Sequence, residues 1–142
     1  MKYRIIIDPE RDEEITVYAR ERTDTLEKIE KLLSSDDTEL IGYKDDEIVP
    51  LNANEIVCFH VEAGKVFART EKDKYALKER LYTLEERFPD FMKINQSCIV
   101  RVDKIKRFEH SIGGALTVTL EGGWRDYISR RQLKTVKERI GF

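Results

Sequence analysis

The sequence of 142 residues has few cysteines, few histidines and no long apolar run, and each shortage excludes a class of protein. Two cysteines and two histidines without metal-ligand spacing argue against a structural zinc site. Because Cys58 and Cys98 each lie within an apolar run, we expect buried free thiols rather than a disulfide. No stretch approaches the roughly 18 apolar residues of a membrane span, and the N-terminus lacks the apolar region of a signal peptide. We therefore expect a cytoplasmic protein that is not itself a membrane protein.

Sequence signatures of catalysis are also missing. With only His60 and His110 as imidazole bases, no Ser-His-Asp or Cys-His spacing is present. The sequence has neither a Walker-type loop nor a G-x-G-x-x-G motif. His60 lies in an apolar run, which favours a structural or surface role over catalysis. We therefore expect a protein that is not an enzyme and that uses no metal and no cofactor.

Charge is distributed unevenly along the chain, whose net charge is -2. Residues 1–50 contain eight Lys or Arg against fifteen Asp or Glu, net -7, whereas residues 51–142 contain eighteen against thirteen, net +5. Positive charge is densest in the last fifty-two residues, which have eleven basic and five acidic side chains. That part of the chain would attract a polyanion, although a solvated charged face is the simpler interpretation of charge alone.

Hydrophobic patterning at the start of the chain predicts two strands and a helix. The runs Lys2–Ile7 and Ile15–Ala19 are rich in β-prone residues. Asp24 with Glu27 resembles a capping box, so we expect a helix from Asp24 to a polar cluster near Ser34. Its apolar face contains Leu26, Ile29, Leu32 and Leu33.

The middle of the chain predicts two hairpins and a second helix. Glu39–Tyr43 and Glu47–Leu51 form the first hairpin, in which Pro50 ends the second strand or places it at a sheet edge. A three-residue loop, Glu62–Gly64, suits the second hairpin, between Glu55–Val61 and Lys65–Thr70. Apolar residues at helical spacing then predict a helix over Leu77–Arg87.

The last third of the chain predicts mostly strands. A final helix over Arg130–Arg139 begins with an S-x-x-Q capping box and places Leu133, Val136 and Ile140 inward. Together these patterns predict a mainly β protein with short helices, of the α+β class. The five strands expected before the last helix are Phe91–Ile94, Cys98–Val102, Ile105–Glu109, Ala115–Leu120 and Trp124–Ile128.

Two arginines at the start of the last predicted helix indicate an anionic ligand. Arg130 and Arg131 follow Ser129, where the helix dipole disfavours positive charge by about 0.3–1 kcal/mol each. A phosphate held by the free N–H groups of the helix would offset that cost, and an arginine can also bond a guanine edge. Pairing of one arginine with Asp126 is the alternative, and the sequence leaves it open.

A second polar run, residues 93–97, spans the end of one expected strand and the turn that leads to the next. It contains Lys93, Asn95, Gln96 and Ser97, and Arg101 follows in the next strand. Asn and Gln can bond adenine through two hydrogen bonds, whereas Lys and Ser suit phosphate contacts. Taken alone, the run is equally well an ordinary polar loop.

Three blocks of this region resemble the LytTR family of DNA-binding domains, which occur in bacterial transcription regulators. The blocks are Phe91–Arg101, the stretch from Ile105 through the hairpin Ala115–Gly123, and Ile128–Leu133, in the order and spacing of the family. The preceding segment Leu77–Phe88 also agrees with the family pattern. The resemblance covers about residues 50–142, and the ordered combination is more specific than any one block.

The resemblance implies a LytTR-type arrangement of small antiparallel sheets that inserts loops, rather than a recognition helix, into major grooves of double-stranded DNA. It implies DNA contacts from the turn before the S-x-x-V strand, from the S-R-R segment and from a hairpin turn nearer the start. The chain departs from the family at Asn95-Gln96, where many members have a basic or His residue before the serine, so we expect it to prefer different bases. It departs again at Arg101, where the family commonly has Asn after the S-x-x-V strand. The residues expected to bind DNA are Lys93, Asn95, Gln96, Ser97, Arg101, Ser129, Arg130 and Arg131, and more loosely Gly64, Lys65 and Arg69.

The acidic residues 1–50 resemble the short β-α-β extension of stand-alone LytTR regulators and are too few for a receiver domain. We therefore divide the chain into residues 1–50 and a LytTR-like DNA-binding domain of residues 51–142. The first part packs on the domain, mediates a homodimer on repeated sites or contacts a membrane-bound regulatory partner, and the sequence leaves these alternatives open. The expected function is sequence-specific DNA binding in transcription regulation. The alternative is a β-rich protein-interaction or ligand-sensing module without DNA specificity.

Overall fold

The computed structural model describes residues 2–34 and 39–142. The chain divides into two compact units between Leu33 and Ser34. In the described part of the first unit, residues 2–23 form neither helix nor strand, and helix α1 (Asp24–Ser34) begins after them and ends at the boundary. Neither of the strands predicted at Lys2–Ile7 and Ile15–Ala19 is formed, and the side chains of both runs are exposed. A strand needs a neighbouring strand to accept and donate its backbone hydrogen bonds, and these two runs have none in the described part of the chain.

Helix α1 has the predicted bounds but a different cap. The Thr23 hydroxyl accepts a hydrogen bond from the N–H of Leu26 at 3.2 Å, so Thr23, not Asp24, is the N-cap. Leu26 and Ile29 are half-buried on one side of the helix. The polar cluster expected to end the helix, residues 35–37, lies outside the described residues.

The described residues of the second unit form ten antiparallel strands in two sheets. The strands of the larger sheet are β1 (Glu39–Lys44), β2 (Glu47–Asn52), β3 (Cys58–Glu62), β4 (Lys65–Arg69), β5 (Lys74–Leu77), β6 (Phe91–Asn95) and β7 (Cys98–Arg101). Their spatial order is β2-β1-β5-β4-β3-β7-β6. The smaller sheet has the order β10-β9-β8 and consists of β8 (Ile105–His110), β9 (Leu116–Leu120) and β10 (Arg125–Ile128).

The hairpin β1–β2 forms as predicted, and β2 is an edge strand. Pro50 lies opposite Ile41, with its missing N–H tolerated at the edge of the sheet. The division of the chain expected at residue 50 falls inside β2. In addition, β1 pairs with β5 through Tyr43 and Ala76. The hairpin therefore belongs to the same sheet as the strands that follow it.

Two local predictions in the middle of the chain need correction. The loop between β3 and β4 has two residues, Ala63 and Gly64, with φ of 51° and 77°. Positive φ at both positions is the geometry of a type I′ turn, which continues the strand pairing up to Glu62 and Lys65. The second helix, α2 (Leu81–Arg87), starts later than predicted, because Leu77 lies in β5 opposite Val66. Strand pairing thus overrides the helical spacing at Leu77.

The five strands predicted after residue 90 and the last helix, α3 (Arg130–Ile140), are confirmed. The Ser129 hydroxyl accepts a hydrogen bond from the N–H of Gln132 at 3.3 Å, as the capping box predicts. Val136 belongs to one apolar core, and Leu133 and Ile140 pack against that core. Gly141 ends the helix with a left-handed φ of 96°.

Two apolar cores lie on opposite faces of the larger sheet, because neighbouring residues of a strand point to opposite sides. Phe59, opposite Ile99, belongs to the core that α2 covers. Its neighbour Cys58 belongs to the core formed with the smaller sheet and α3. Cys58 and Cys98 are both buried and free, as expected.

Candidate nucleic-acid interface

The turn between β6 and β7 and the start of α3, two of the three predicted contact segments, lie side by side. The backbone N–H of Ser129 donates a hydrogen bond to the carbonyl oxygen of Ile94 at 2.8 Å. The Asn95 side chain donates from Nδ2 to the carbonyl oxygen of Tyr127 at 2.9 Å. These two bonds join β6 to the chain just before α3. The exposed side chains of Gln96, Ser97, Arg130 and Arg131, which we call the turn–helix surface, therefore belong to neighbouring segments.

Asn95 itself lies beneath this surface. Its side chain is 1% exposed, and its Oδ1 accepts a hydrogen bond from the N–H of Ser97 at 2.8 Å. With Nδ2 bonded to Tyr127, both ends of the amide are occupied. Asn95 was predicted as a base contact, and the structure places it where it supports the turn instead.

Helix α3 is anchored at both ends. Ser129 caps its first turn and is bonded to β6 through its N–H. Arg139, in the last turn, donates to the carbonyl oxygens of Pro89 at 2.6 Å and Phe91 at 3.4 Å. Val136 between them is fully buried. The helix is thus fixed along β6, which fixes the direction in which its first turn faces.

Arg130 and Arg131 occupy the exposed side of that first turn. None of the ion pairs among the described residues involves either arginine. The ion pair with Asp126 that the sequence left open is therefore not formed. The Asp126 carboxylate instead accepts a hydrogen bond from the backbone N–H of Tyr127 at 2.8 Å. Two uncompensated cations at the positive end of a helix dipole favour an anion at this position.

The hairpin β3–β4 brings the third predicted segment to the same end of the larger sheet. The N–H of Val61 donates to the carbonyl oxygen of Ser97 at 2.8 Å, which joins β3 to the β6–β7 turn. Gly64 and Lys65 are exposed at the hairpin turn. Glu62 lies opposite Lys65 but accepts a hydrogen bond from Lys74 at 3.1 Å. This bond lowers the pKa of Glu62 and keeps its carboxylate ionised. Lys65 is therefore the free cation of this hairpin among the described side chains.

Arg69 lies away from this turn and packs against aromatic rings. Its guanidinium carbon lies 3.9 Å from the centre of the Trp124 ring, and its Nε donates to Nε2 of His60 at 3.0 Å. The pKa of His60 is lowered to about 4. Burial is the largest cause, and the positive charge of Arg69 is the second. Neutral His60 can accept this hydrogen bond. The trio of His60, Arg69 and Trp124 holds the smaller sheet against the larger one, a role that sequence spacing did not reveal.

Arg101 is the second predicted contact that the structure places in the interior. Its side chain is buried and donates to the carbonyl oxygens of Ala53 at 2.5 Å and Ile56 at 3.2 Å. Its guanidinium also lies 3.8 Å from the Asp90 carboxylate and over the ring of Phe91. Arg101 therefore stabilises the loop before β3. Lys93, by contrast, is half-buried on the edge strand β6 beside the turn.

Neither a membrane-crossing helix nor a metal cluster is found in residues 2–34 and 39–142. None of their helices is long and apolar enough to span a bilayer. They also bring no three His, Cys, Asp or Glu side chains together as metal ligands.

Comparison with known proteins finds one family and one fold. The family model described as the LytTr DNA-binding domain matches residues 46–141. A Staphylococcus aureus protein (strain NCTC 8325), described as an uncharacterized HTH-type transcriptional regulator, is 33% identical over 144 residues, which cover 99% of this chain and 98% of the relative. Its counterpart in the bovine strain RF122 is 32% identical over the same shares of both chains.

A solved structure has the same fold. It is the LytTr DNA-binding domain of a Bacillus cereus protein described as a methyl-accepting/DNA response regulator. The TM-score is 0.68, at 18% sequence identity, over 74% of this chain and 98% of that domain. The mainly β architecture with short helices and antiparallel sheets, expected from the sequence, is thereby confirmed.

Proposed function

Because this chain belongs to the LytTR family of DNA-binding domains, we propose that it is a sequence-specific transcription regulator whose turn–helix surface enters a major groove of double-stranded DNA. The observation that carries the proposal is the pair of hydrogen bonds that joins β6 to the start of α3. Through Ser129 to Ile94 and Asn95 to Tyr127, they place the amide of Gln96 in the same surface as Arg130 and Arg131. An amide and a guanidinium together offer contacts to adenine and guanine edges.

Each exposed side chain has a role that follows from its chemistry. Gln96 and Arg131 are the proposed base contacts, since both can form paired hydrogen bonds with a purine edge. Ser97, Arg130, Lys93 and Lys65 are the proposed phosphate contacts, which set the orientation of the protein on the duplex. The free N–H groups in the first turn of α3 add donors for a phosphate oxygen. Asn95, Arg69 and Arg101 are left out of the contact set because their polar groups are occupied within the protein.

The strand-rich fold favours insertion of turns over insertion of a recognition helix. Within the described residues no two helices follow one another, because strands separate α1, α2 and α3. The chain is 33% identical to a relative described as an HTH-type regulator, although its described residues contain no consecutive helix pair. The B-DNA major groove, about 12 Å wide, admits an α-helix or a two-stranded β-ribbon, which is the kind of element that the β6–β7 turn and the first turn of α3 present.

One observation favours the alternative, a protein-interaction module. Strand β2 is an unpaired sheet edge in the described chain, and Ile48 on it is 69% exposed. An exposed edge can accept a strand from a partner, although Pro50 removes one donor from it. This alternative predicts no preference for any DNA sequence.

The test is a selection of duplexes from a random pool by the purified chain, followed by titrations of the selected duplex at 50 and 200 mM salt. We expect enrichment of one sequence and a steep loss of affinity with salt, because each neutralised phosphate adds about 0.9 to the log–log slope. Gln96→Ala should relax the preference at one base pair, whereas Lys93→Ala should weaken binding to all sequences alike. No enrichment together with a flat salt response would contradict the proposal and favour the interaction module.

A further inference from the structure

We propose that Asn95 is a positioning residue that fixes the distance between the two base-contacting segments and so sets the sequence preference of the protein. This inference rests on the proposed function. Its basis is a buried side chain that bonds to both segments and reaches no solvent. Asn95 is 1% exposed, accepts from the N–H of Ser97 and donates to the carbonyl oxygen of Tyr127.

The two bonds act on different sides of the interface. The bond to Ser97, 2.8 Å long, closes the β6–β7 turn and so orients Gln96 between its two ends. The bond to Tyr127, 2.9 Å long, attaches that turn to β10, two residues before the cap of α3. A single amide thus connects the segment of Gln96 with the segment of Arg131, across 32 residues of sequence.

Other contacts hold α3 in place and hold the far end of the turn on β3, where the N–H of Val61 donates to the carbonyl oxygen of Ser97, but none of them orients Gln96 toward α3. Ser129 bonds to Ile94 before the turn begins, and Arg139 bonds to Pro89 and Phe91 at the far end of the helix. Loss of the Asn95 side chain would therefore leave α3 on β6 and Ser97 on β3, while Gln96 loses the two bonds that hold its segment and moves relative to α3. Phosphate contacts tolerate such movement, since they depend mainly on charge, whereas two base contacts in one groove need a fixed separation.

The test compares Asn95→Leu with wild type on the selected duplex and on duplexes of unrelated sequence. Leucine has a similar size and removes both hydrogen bonds without burying a charge. We expect the affinity for the selected duplex to fall about tenfold, the effect of one or two lost hydrogen bonds. Affinity for unrelated duplexes and the salt slope should change by less than about twofold, because the exposed cations remain.

A second readout separates positioning from a loss of folding. In wild type, Gln96→Ala should lower the affinity for the selected duplex, whereas in the Asn95→Leu background it should have almost no further effect. Leu84→Ala, in the core under α2, provides a destabilised control that leaves the turn intact. The control should lose binding to all duplexes in proportion to its unfolded fraction and should keep the effect of Gln96→Ala.

The outcomes distinguish this inference from the proposed function. If wild type shows no preference among duplexes, the proposed function fails, and the positioning role fails with it. If wild type shows a preference and Asn95→Leu keeps both that preference and the effect of Gln96→Ala, the positioning role alone is overturned. Equal losses on selected and unrelated duplexes, as in the Leu84→Ala control, would also overturn it.

Discussion

Residues 2–33 and residues 39–142 contain similar apolar side chains, but only the second region forms sheets. Tyr3 and Ile7 are 87% and 86% exposed, whereas Phe59 and Ile99 are fully buried. The runs around Tyr3 and Phe59 are both rich in β-prone residues. The difference lies in what surrounds them: Phe59 has strands on both sides and α2 above it. Strand propensity produces a strand only where a neighbouring strand and a second layer are available.

The same difference separates the two regions in function. The turn–helix surface depends on two sheets packed on each other, since its segments come from β6, β7 and the chain after β10. Residues 2–23 offer exposed apolar and acidic side chains, and the structure describes no strand among them. On the proposed function, DNA contact belongs to the second region alone.

The largest effect expected is on the free energy of unfolding. Phe59→Ala should lower it by about 3–5 kcal/mol, because the ring packs against Phe88 and Phe91 in a core without solvent. Ile7→Ala should change it by less than about 0.5 kcal/mol. Urea unfolding of both variants measures the difference. A loss of several kcal/mol in Ile7→Ala would show that residues 2–33 pack in a core after all.

Two adjacent glycines test the packing of the smaller sheet. Gly122 has φ of 91°, and a Cβ there would lie 2.7 Å from the Cα of Glu71, so Gly122→Ala should cost about 2–4 kcal/mol. Gly123 has the same φ but open space around it, so Gly123→Ala should cost only the backbone strain of about 1–2 kcal/mol. Thermal unfolding compares the pair. Equal losses would mean that the contact with Glu71 is absent in solution.

The pH dependence of stability should come from the second region, because both histidines lie there. The pKa of His60 is lowered to about 4 in the folded protein, so the unfolded chain binds the proton first as the pH falls. The free energy of unfolding should therefore fall by about 1.5 kcal/mol between pH 6.5 and pH 5.

Two variants check that source. His60→Gln should abolish most of this slope, whereas deletion of residues 1–33 should leave it unchanged. Chemical unfolding at a series of pH values gives the slope for each chain. If the free energy of unfolding of His60→Gln still falls between pH 6.5 and pH 5 as in wild type, His60 is not the buried neutral imidazole that the structure shows.

These contrasts show which features the sequence could predict. The β6–β10 strands and the capped helix α3 follow from local alternation, glycine turns and the S-x-x-Q box. The LytTR resemblance also identified the two segments that the structure joins. The strand pairing of Leu77 depends on Val66 and overrides a helical pattern.

The roles of the polar residues were harder to predict, because their partners are far away in sequence. Arg101 bonds to Ala53, 48 residues earlier, and Asn95 bonds to Tyr127, 32 residues later. Residue type, together with the family resemblance in the case of Asn95, made both resemble DNA contacts. The apolar pattern did place Arg101 in a predicted strand, Cys98–Val102. It could not identify the carbonyl oxygens of Ala53 and Ile56 as the acceptors of its hydrogen bonds.

The smallest effect is expected from deletion of residues 1–33. Affinity for the selected duplex should stay within about twofold of the full chain, with any change an increase, because acidic side chains are repelled by phosphate. Sizing of both chains shows whether the exposed apolar residues affect assembly. Loss of sequence preference in the folded fragment would place residues 1–33 in the DNA interface.

The central claim, that the turn–helix surface binds DNA through base contacts, is tested most directly by competition titration of Arg131→Ala beside Lys106→Ala. Lys106 is an exposed cation on β8, at the other edge of the smaller sheet from β10, so it controls for loss of one charge. Arg131→Ala should lose about 1–3 kcal/mol of discrimination between the selected duplex and a single-base variant while keeping its fold. Lys106→Ala should keep the discrimination of wild type. Wild-type affinity and preference in Arg131→Ala would contradict the account.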